Sequence, residues 1–336
     1  MPQHSIAHSV PSCVSISALV ASTYNTGPIT DCRLLQRGFN DSYLVTAETG
    51  ERFVLRISIS RHRLRGEADV ASETAFLAYL DAANVPVATA APTKGGTLFT
   101  TVTLPDGPRA AVLFRYAEGH APNVDAPEDA RVQGITLAHL HLAADVYPDR
   151  EKGRHRLDLD HLLHRPIQAT LGLGLGSSRV RRDLTELEKR LAKAVGRLDA
   201  ELSRTRCHGD VHGLNARIAE AGPRASQAVF FDFDEGGFGY LAYDLAVHLW
   251  AQVSFGRRRH AMWHAFDAGY RSIRPLKPAD EAAIPVFAAI RHIWFMGEWA
   301  AGTPRFGTEN ITDRWLENQV AFLLAWERDQ LAGGLL

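Results

Sequence analysis

The chain has 336 residues, of which 46% are hydrophobic and 22% are charged, and this length can bury the core of one large domain or of two smaller ones. Thirty-seven Lys and Arg residues balance 38 Asp and Glu residues, so the formal net charge is −1. Because this balance excludes a global positive field, we expect neither nucleic acid nor a membrane as a partner, and any binding must use local groups.

The cysteines and the apolar segments place the chain in a reducing compartment. Cys13, Cys32 and Cys207 are too few and too scattered for a disulfide framework, and no two lie at metal-finger spacing. The apolar segment 14–21 is interrupted by serines and predicts a short helix, not a signal peptide. Since no later segment reaches the roughly twenty apolar residues of a membrane span, we expect a cytoplasmic protein.

Residues 1–117 predict a small, β-rich N-lobe with one helix. The helix is predicted at 67–83, where apolar residues recur at helical spacing. Turn-like sequences separate strand-like runs on either side of it. The predicted strands are 43–45, 53–57, 97–103 and 110–116. Their spacing favours an antiparallel sheet.

Residues 118–336 predict a larger, mainly α-helical C-lobe, so that the fold class is α+β. Pro285 lies inside one helical pattern, and we expect that helix to kink or to begin there. The glycine-rich segment 172–177 imitates a dinucleotide-binding loop, but no clear strand precedes it, which favours a flexible connection. The predicted helices are 127–147, 184–204, 240–255, 278–302 and 311–331.

Polar residues able to do chemistry concentrate in two short segments, 207–215 and 229–234. Asp210 and Asn215 lie five residues apart on a glycine-containing loop, which is the spacing of Asp and Asn in the catalytic loop of protein kinases. Asp232 ends an apolar, strand-like run, a position that aims a carboxylate at a metal ion. Each residue alone is typical of an ordinary turn or cap. The combination favours phosphoryl transfer.

The two segments resemble the H-G-D-x-x-x-x-N loop and the D-x-D strand of the aminoglycoside phosphotransferase and choline kinase-like family. The motifs look most similar to bacterial stress response kinase A and the type II homoserine kinases within that group. The resemblance implies a protein-kinase-like bilobal fold with ATP between the lobes, and a kinase that depends on ATP and Mg²⁺.

By this resemblance, Asp210 is the catalytic base, and Asn215 and Asp232 are magnesium ligands. Asp234 is either a second magnesium ligand or a cap of the following glycine turn.

Three further residues are implied to support the loop. His208 braces it, and His212 shapes it or touches the substrate. Asp244, in a Y-D-L-A sequence typical of a helix start in the family, is expected to hydrogen-bond loop backbone and not to react.

The upstream sequence resembles the family's nucleotide-binding elements. Arg56 stands on the strand that carries the phosphate-binding cation, and Glu73 is its implied partner on the following helix. Ser42 belongs to the turn that covers the phosphates. Phe114 and Tyr116 belong to the hinge that receives the adenine.

Two features depart from the family and kinase patterns. Arg56 replaces the expected lysine, keeping a permanent cation while losing the compact geometry of an ammonium group; the alternative is a solvated charge at a strand edge. Gly38 is the only glycine of the covering turn, so phosphate contacts must come from backbone N–H groups and Ser42.

The aromatic segment 291–299 is a candidate acceptor pocket. Arg291, Trp294 and Glu298 can share one face of a helix and line a site for a zwitterionic or amine-bearing acceptor. The alternative is a core helix whose charged residues pair. His139 and His141 are two residues apart and face different sides of their helix, so packing or hydrogen bonding is the expected role and joint metal ligation is not.

The residues therefore predict transfer of the γ-phosphoryl group of ATP to an alcohol, either of a small amino alcohol or metabolite or of a protein Ser or Thr. The nucleotide and the hydroxyl-bearing acceptor are the expected partners. One alternative is a pseudokinase that only binds nucleotide. Another is a metal-dependent hydrolase with zinc or manganese on side chains of the same segments. Its ligands would be His208, Asp210, His212, Asp232 and Asp234.

Overall fold

The computed structural model describes residue 6 and residues 8–58, 66–152 and 155–331. The described residues form two compact units. The first comprises residues up to His120, Lys152 and Arg217–Phe231, and the second comprises Ala121–Glu151, His155–Ala216 and the residues from Asp232 onward. The boundary between lobes at residue 117 remains a prediction.

The first unit is built on a five-stranded antiparallel sheet with the strand order β1-β2-β3-β5-β4. Apolar side chains of the strands pack with Ile16 and Val20 of the first helix into one core cluster, because alternate residues of a strand face the same side. The elements are α1 (Cys13–Thr23), β1 (Ile29–Arg37), β2 (Asp41–Ala47), β3 (Arg52–Ile57), α2 (Glu67–Ala82), β4 (Thr100–Leu104) and β5 (Gly107–Arg115).

The second unit is mainly helical. Its helices are α3 (Pro127–Asp145), α4 (Arg165–Gly172), α5 (Ser178–Leu198), α6 (Leu241–Val253), α7 (His260–Arg271), α8 (Pro278–Phe306) and α9 (Asp313–Trp326), with π-helical turns at Asp160–His164 and Glu327–Leu331. Its strands are β6 (Arg156–Leu157), β7 (Arg204–Cys207) and β10 (Gly237–Tyr240), whereas β9 (Ala228–Phe230) and most of β8 (Ala216–Ile218) belong to the first unit. β6, β10 and β7 form a three-stranded sheet, and β8 pairs with β9.

Helices α3 and α7 pack with their backbones in contact. A Cβ added at Gly134 would lie 2.0 Å from the Phe266 carbonyl oxygen, and one added at Gly269 would lie 2.1 Å from the Arg131 carbonyl oxygen. Only glycine permits this approach. The contact brings His141 and Tyr270 together beneath the loop that follows β7.

The predicted α+β, kinase-like architecture is confirmed, and two predicted helices are wrong in detail. The helix predicted at 184–204 begins at Ser178, where Ser177 caps it by accepting from the Val180 amide, and Arg204 already belongs to a strand. Helix α8 begins at Pro278 and runs through Pro285. Helix α7 was not predicted. No helix in the described part of the chain has both the length and the apolarity that a membrane crossing requires.

Candidate active site

The pairing of β7 with β10 brings the two polar segments of the sequence to one edge of a sheet. These strands are antiparallel, with Cys207 opposite Gly237, so the loop leaving β7 and the turn entering β10 start from the same place. Gly209 has φ +85°, and a Cβ at this residue would lie 2.1 Å from the Glu235 carbonyl oxygen. The loop of residues 208–215, here called the catalytic loop, therefore packs directly on the turn that contains Asp234.

Asp244 fixes the start of the catalytic loop by hydrogen bonds to its backbone. Its Oδ2 accepts a hydrogen bond of 2.7 Å from the His208 amide and its Oδ1 accepts one of 2.7 Å from the Gly209 amide. Oδ2 also lies 3.0 Å from His141 Nε2, and the other ring nitrogen of His141 lies 2.9 Å from the Tyr270 hydroxyl. A carboxylate that accepts from two backbone amides binds them strongly. The loop is thus fixed to α6, α3 and α7 at once.

His208 is completely buried under the same loop. Its Nδ1 accepts a hydrogen bond of 3.3 Å from the Asp210 amide, and its ring lies 4.1 Å from that of Phe233 between centroids. Burial lowers the pKa of His208 below its ordinary value. The neutral ring therefore shapes the backbone around Asp210.

Asp210 is the carboxylate of the catalytic loop, and it contacts the side chains of Arg291, Asn215 and His212. Its Oδ1 accepts from the Arg291 guanidinium. Its Oδ2 lies 3.0 Å from Asn215 Nδ2 and 3.3 Å from His212 Nε2. Burial by itself raises the pKa of Asp210, but the charges of His212 and Arg291 outweigh burial and hold that pKa well below its usual range. Burial likewise opposes the charged form of His212, whose pKa is nevertheless raised by Asp210. Asp210 is therefore ionised.

The three predicted magnesium ligands lie on the catalytic loop and on the adjoining turn. Asn215 Nδ2 donates to the Asp210 backbone oxygen at 3.1 Å and to its carboxylate, which leaves the Asn215 Oδ1 turned away from Asp210. Asp232 is exposed, and its charge contributes to the raised pKa of His212, which places it near the loop. Asp234 is buried in a short 3-10 turn. Amide and carboxylate oxygens are the ligands that Mg²⁺ prefers, so the donor set fits this ion.

The hydrolase alternative needs a denser ligand set. Among the residues that the structure describes, no group of three or more His, Cys, Asp or Glu side chains is arranged to hold a metal ion. A magnesium ion that also binds phosphate oxygens needs only one or two carboxylates from the protein.

The predicted nucleotide-binding residues lie in the first unit, where Arg56 and Glu73 form a buried ion pair. Arg56 NH1 and NH2 lie 2.9 and 2.6 Å from the two carboxylate oxygens of Glu73. Arg56 is 3% exposed, so it is not a solvated strand-edge charge. Its guanidinium carbon lies 4.9 Å from the centre of the Phe114 ring, and Ser42 is its partner in the β2–β3 register. Tyr116 lies under Arg52 instead, with 4.2 Å between the guanidinium carbon and the ring centre.

A family model described as "Phosphotransferase enzyme family" matches residues 31–276 of the chain, a range that includes the ion pair, the catalytic loop and Asp232. This chain belongs to the phosphotransferase enzyme family. It is an enzyme of the phosphotransferase class.

Comparison with other proteins agrees with this assignment. An uncharacterised protein of Deinococcus radiodurans is 38% identical to this phosphotransferase over 324 residues, which cover 95% of this chain and 91% of that protein. A microcompartment-associated aminopropanol kinase has the same fold, with a TM-score of 0.76 at 23% identity over 96% of this chain and 99% of the other. An amicoumacin kinase in complex with AMP-PNP and Ca²⁺ also gives a TM-score of 0.76, at 17% identity over 94% of this chain and 93% of the other.

The candidate acceptor residues of this phosphotransferase lie on α8, and all three are buried. Arg291 reaches Asp210, and Trp294 lies against the Arg291 guanidinium with 4.1 Å between the guanidinium carbon and the ring centre. Glu298 is 7% exposed, two turns beyond Arg291. The alternative of a core helix with paired charges therefore describes Arg291 as well as the pocket does.

Two contacts of the site are missing from the sequence analysis. His141 was expected to pack or to hydrogen-bond, but its partner Asp244, 103 residues away in sequence, was not predicted. Arg291 was expected either to line an acceptor pocket or to pair within a core helix, but its contact with Asp210, 81 residues away, was not predicted. The sequence spacing of neither pair indicates a contact, because both contacts depend on how α3, α6 and α8 pack.

Proposed function

We propose that this phosphotransferase transfers the γ-phosphoryl group of ATP to the hydroxyl of a small amino alcohol or related metabolite, in a magnesium-dependent reaction. The observation that carries the proposal is the assembly of Asp210 and Asn215 on one loop, next to the turn that follows Asp232. Phosphoryl transfer requires little beyond positioning and charge neutralisation, and these residues are suited to both.

Asp210 is the residue that meets the acceptor hydroxyl in this proposal. Its pKa is held well below the ordinary value, so it is a weak base and a strong hydrogen-bond acceptor. The phosphoryl transition state is loose, and the hydroxyl needs orientation before it needs deprotonation. Asp210 therefore orients the hydroxyl for in-line attack and receives its proton late.

Asn215 and Asp232 are the proposed magnesium ligands, and Asp234 is the candidate for a second ion. Bound Mg²⁺ would neutralise the phosphate oxygens and hold them in place. Asp232 is exposed and has an unusual backbone conformation, φ +64°, of the kind that is retained at functional sites.

Arg56 is the proposed phosphate-binding cation, held in place by Glu73. The guanidinium group is a permanent cation that can donate in a fork to phosphate oxygens. Phe114 and Tyr116 are proposed to contact the adenine, and Ser42 a phosphate. The amicoumacin kinase of the same fold is described as a complex with a nucleotide and a divalent cation, which supports both cofactor proposals.

The acceptor class is proposed from the fold neighbours. The aminopropanol kinase of the same fold is named for an amino alcohol, and we extend that acceptor class to this enzyme. A protein Ser or Thr remains a less supported acceptor.

A screen with labelled ATP tests this function. The purified enzyme is incubated with Mg²⁺ and, separately, with amino alcohols, homoserine, aminoglycosides and a generic protein acceptor. We expect at least one small hydroxylated amine to become labelled and to raise ATP turnover. Nucleotide binding without turnover on any acceptor would support the pseudokinase alternative instead, and tight zinc binding without ATP binding would support the hydrolase.

A further inference from the structure

Arg291 is a buried arginine whose one carboxylate contact, among those that the structure describes, is with Asp210. The residue is 3% exposed. Its NH2 donates to Asp210 Oδ1, while NH1 lies 3.3 Å from the Tyr243 hydroxyl and 3.4 Å from the Gly209 carbonyl oxygen. Its Nε has no hydrogen-bond partner within the described residues. The guanidinium therefore makes its hydrogen bonds through NH1 and NH2, the terminal nitrogens that lie at Asp210.

Two indole rings determine where the guanidinium lies. Its central carbon is 5.1 Å from the ring centre of Trp250 on α6 and 4.1 Å from that of Trp294 on α8. Both distances are within the range of a cation–π contact. The rings form a slot, here called the aromatic slot, and the planar guanidinium fills it.

The energetics link this arrangement to the catalytic loop. Burying a guanidinium costs several kcal/mol unless a carboxylate and hydrogen bonds offset the cost, and aromatic faces offset only part of it. An arginine that served packing alone would be expected to pair with a carboxylate outside the reaction centre. Here the pairing oxygen is Asp210 Oδ1, so the slot, the cation and the catalytic carboxylate are one unit.

The consequence for Asp210 is a fixed orientation. Arg291 holds Oδ1, and Asn215 Nδ2 holds Oδ2 at 3.0 Å. The remaining contact of Oδ2, with His212 Nε2, is longer at 3.3 Å and is the contact that an acceptor hydroxyl can replace. Rotation of the carboxylate would break both shorter contacts.

We propose that Arg291 is a positioning residue for phosphoryl transfer, which fixes Asp210 by one oxygen and leaves the other to the acceptor hydroxyl. This inference rests on the proposed function. It also has a consequence for specificity. Because the guanidinium already fills the slot, an acceptor's own ammonium cannot use Trp250 and Trp294 and must bind elsewhere.

The test is chemical rescue of Arg291→Ala. This variant empties the aromatic slot in front of Asp210. We expect kcat to fall by about 100-fold, as for a misplaced catalytic group, while nucleotide affinity stays within about threefold of the parent, since Arg291 acts on Asp210. Guanidinium or methylguanidinium at millimolar concentration is expected to restore kcat at least about tenfold and saturably, because it refills the slot.

Urea is the matched control for the rescue, because it has the shape of guanidinium without its charge. Rescue by guanidinium and none by urea supports the proposal. Unchanged kcat in Arg291→Ala, or a loss of kcat that guanidinium does not restore in a folded variant with parental nucleotide affinity, overturns it.

Arg291→Lys keeps the test decisive if the alanine variant does not fold. Lysine retains the charge but not the planar fork, so we expect about a tenfold loss in kcat and no rescue, because the slot is occupied. A lysine variant with parental kcat contradicts the positioning role. The parent enzyme must first transfer phosphate in the same assay, and if it does not, the proposed function fails. If the parent transfers phosphate and the Arg291 variants do so equally fast, only the role of Arg291 is overturned.

Discussion

Asp232 combines a functional position with a backbone conformation that costs energy. Its φ of +64° and ψ of +60° lie in the left-handed region, which L-residues other than glycine occupy at a cost of about 1 kcal/mol or more. Strained backbone conformations of this kind are found most often at functional sites, where the strain is retained because the conformation serves the function.

This conflict predicts opposite effects of Asp232→Gly on stability and activity. Glycine adopts the same conformation freely, so the free energy of unfolding should stay equal or rise by about 1 kcal/mol, while phosphate transfer should fall by at least about 100-fold because a metal ligand is lost. Asp232→Ala is the control, since alanine removes the ligand and keeps the strain. Urea unfolding and initial rates measure both quantities. A glycine variant that is active, or less stable than the alanine variant, contradicts this account.

The buried ion pair of Arg56 and Glu73 predicts that the effect of removing either residue on the free energy of unfolding depends on the presence of the other. Removing one partner of a buried pair leaves an uncompensated charge, so Arg56→Ala should lower the free energy of unfolding by about 3–5 kcal/mol. The double variant with Glu73→Ala should be less destabilised than the sum of the single variants. Urea unfolding of the four proteins in a double-mutant cycle measures the coupling. Additive effects would contradict the buried pair.

The sequence could identify Asp210 and Asn215 as neighbours, because they lie five residues apart on one loop, and their side chains are in contact. The role of Asp232 beside them stays a prediction. The sequence could not identify the contact of Arg291 with Asp210. An arginine on an aromatic helix is compatible with a pocket and with a core, and only the packing of α8 beside α6 decides which carboxylate it meets.

At the level of elements, the catalytic loop depends on helix α6. Asp244 lies in the first turn of this helix and accepts from two loop amides and from His141. Its side chain is fully buried. The position of the loop is therefore a property of three helices and not of the loop sequence.

Asp244→Asn should loosen the loop without unfolding the protein. Asparagine keeps one neutral acceptor oxygen, so both loop amides lose a charged partner and one of them loses its acceptor altogether. We therefore expect the free energy of unfolding to fall by about 3 kcal/mol and kcat to fall more than KM rises. Asp267→Asn on α7 is the control, since that carboxylate makes a partly exposed pair with Arg271, worth about 1 kcal/mol or less. Equal effects of the two substitutions would contradict the role of Asp244.

Local patterns predicted most elements but not all of their ends. Helix α5 begins earlier than predicted because Ser177 caps it, and it ends at Leu198, before the predicted end at Arg204, which is the first residue of β7. Helix α7 was not predicted, although its buried residues Met262, Phe266 and Tyr270 recur every four positions.

At the scale of the whole molecule, buried neutral histidines make stability depend on pH. Burial lowers the pKa of His292 to about 4. Its Nδ1 accepts from the Trp250 indole at 3.1 Å, and its Nε2 lies 2.9 Å from Gln319 Oε1. Between pH 6.5 and 4, an unfolded chain binds a proton at this residue and the folded chain does not. Stability from this group is therefore complete above pH 6.5 and is lost as the pH falls toward 4.

His292→Gln measures this contribution. Glutamine can accept from Trp250 and does not titrate. From pH 7 to pH 4.5, the free energy of unfolding of the parent should fall by about 2 kcal/mol more than that of the variant, as followed by urea unfolding at each pH. An equal fall in both proteins would show that His292 is not a neutral buried group.

The overall architecture could be predicted from the sequence, because strand-like segments come first and helical segments follow. The order of the strands within the sheet could not be predicted in this way. β5 lies beside β3 with β4 at the edge, a choice made by long-range burial of the apolar residues of β5, which no local pattern records.

The most direct test of the central claim is the rate of phosphate transfer by Asp210→Asn with an acceptor found in the screen, beside Asp267→Asn. Asparagine keeps the size of the side chain and removes the charge that orients the acceptor hydroxyl. We expect kcat to fall by about 100-fold or more with nucleotide affinity within about threefold of the parent. A variant that transfers phosphate as fast as the parent would contradict Asp210 as the catalytic carboxylate.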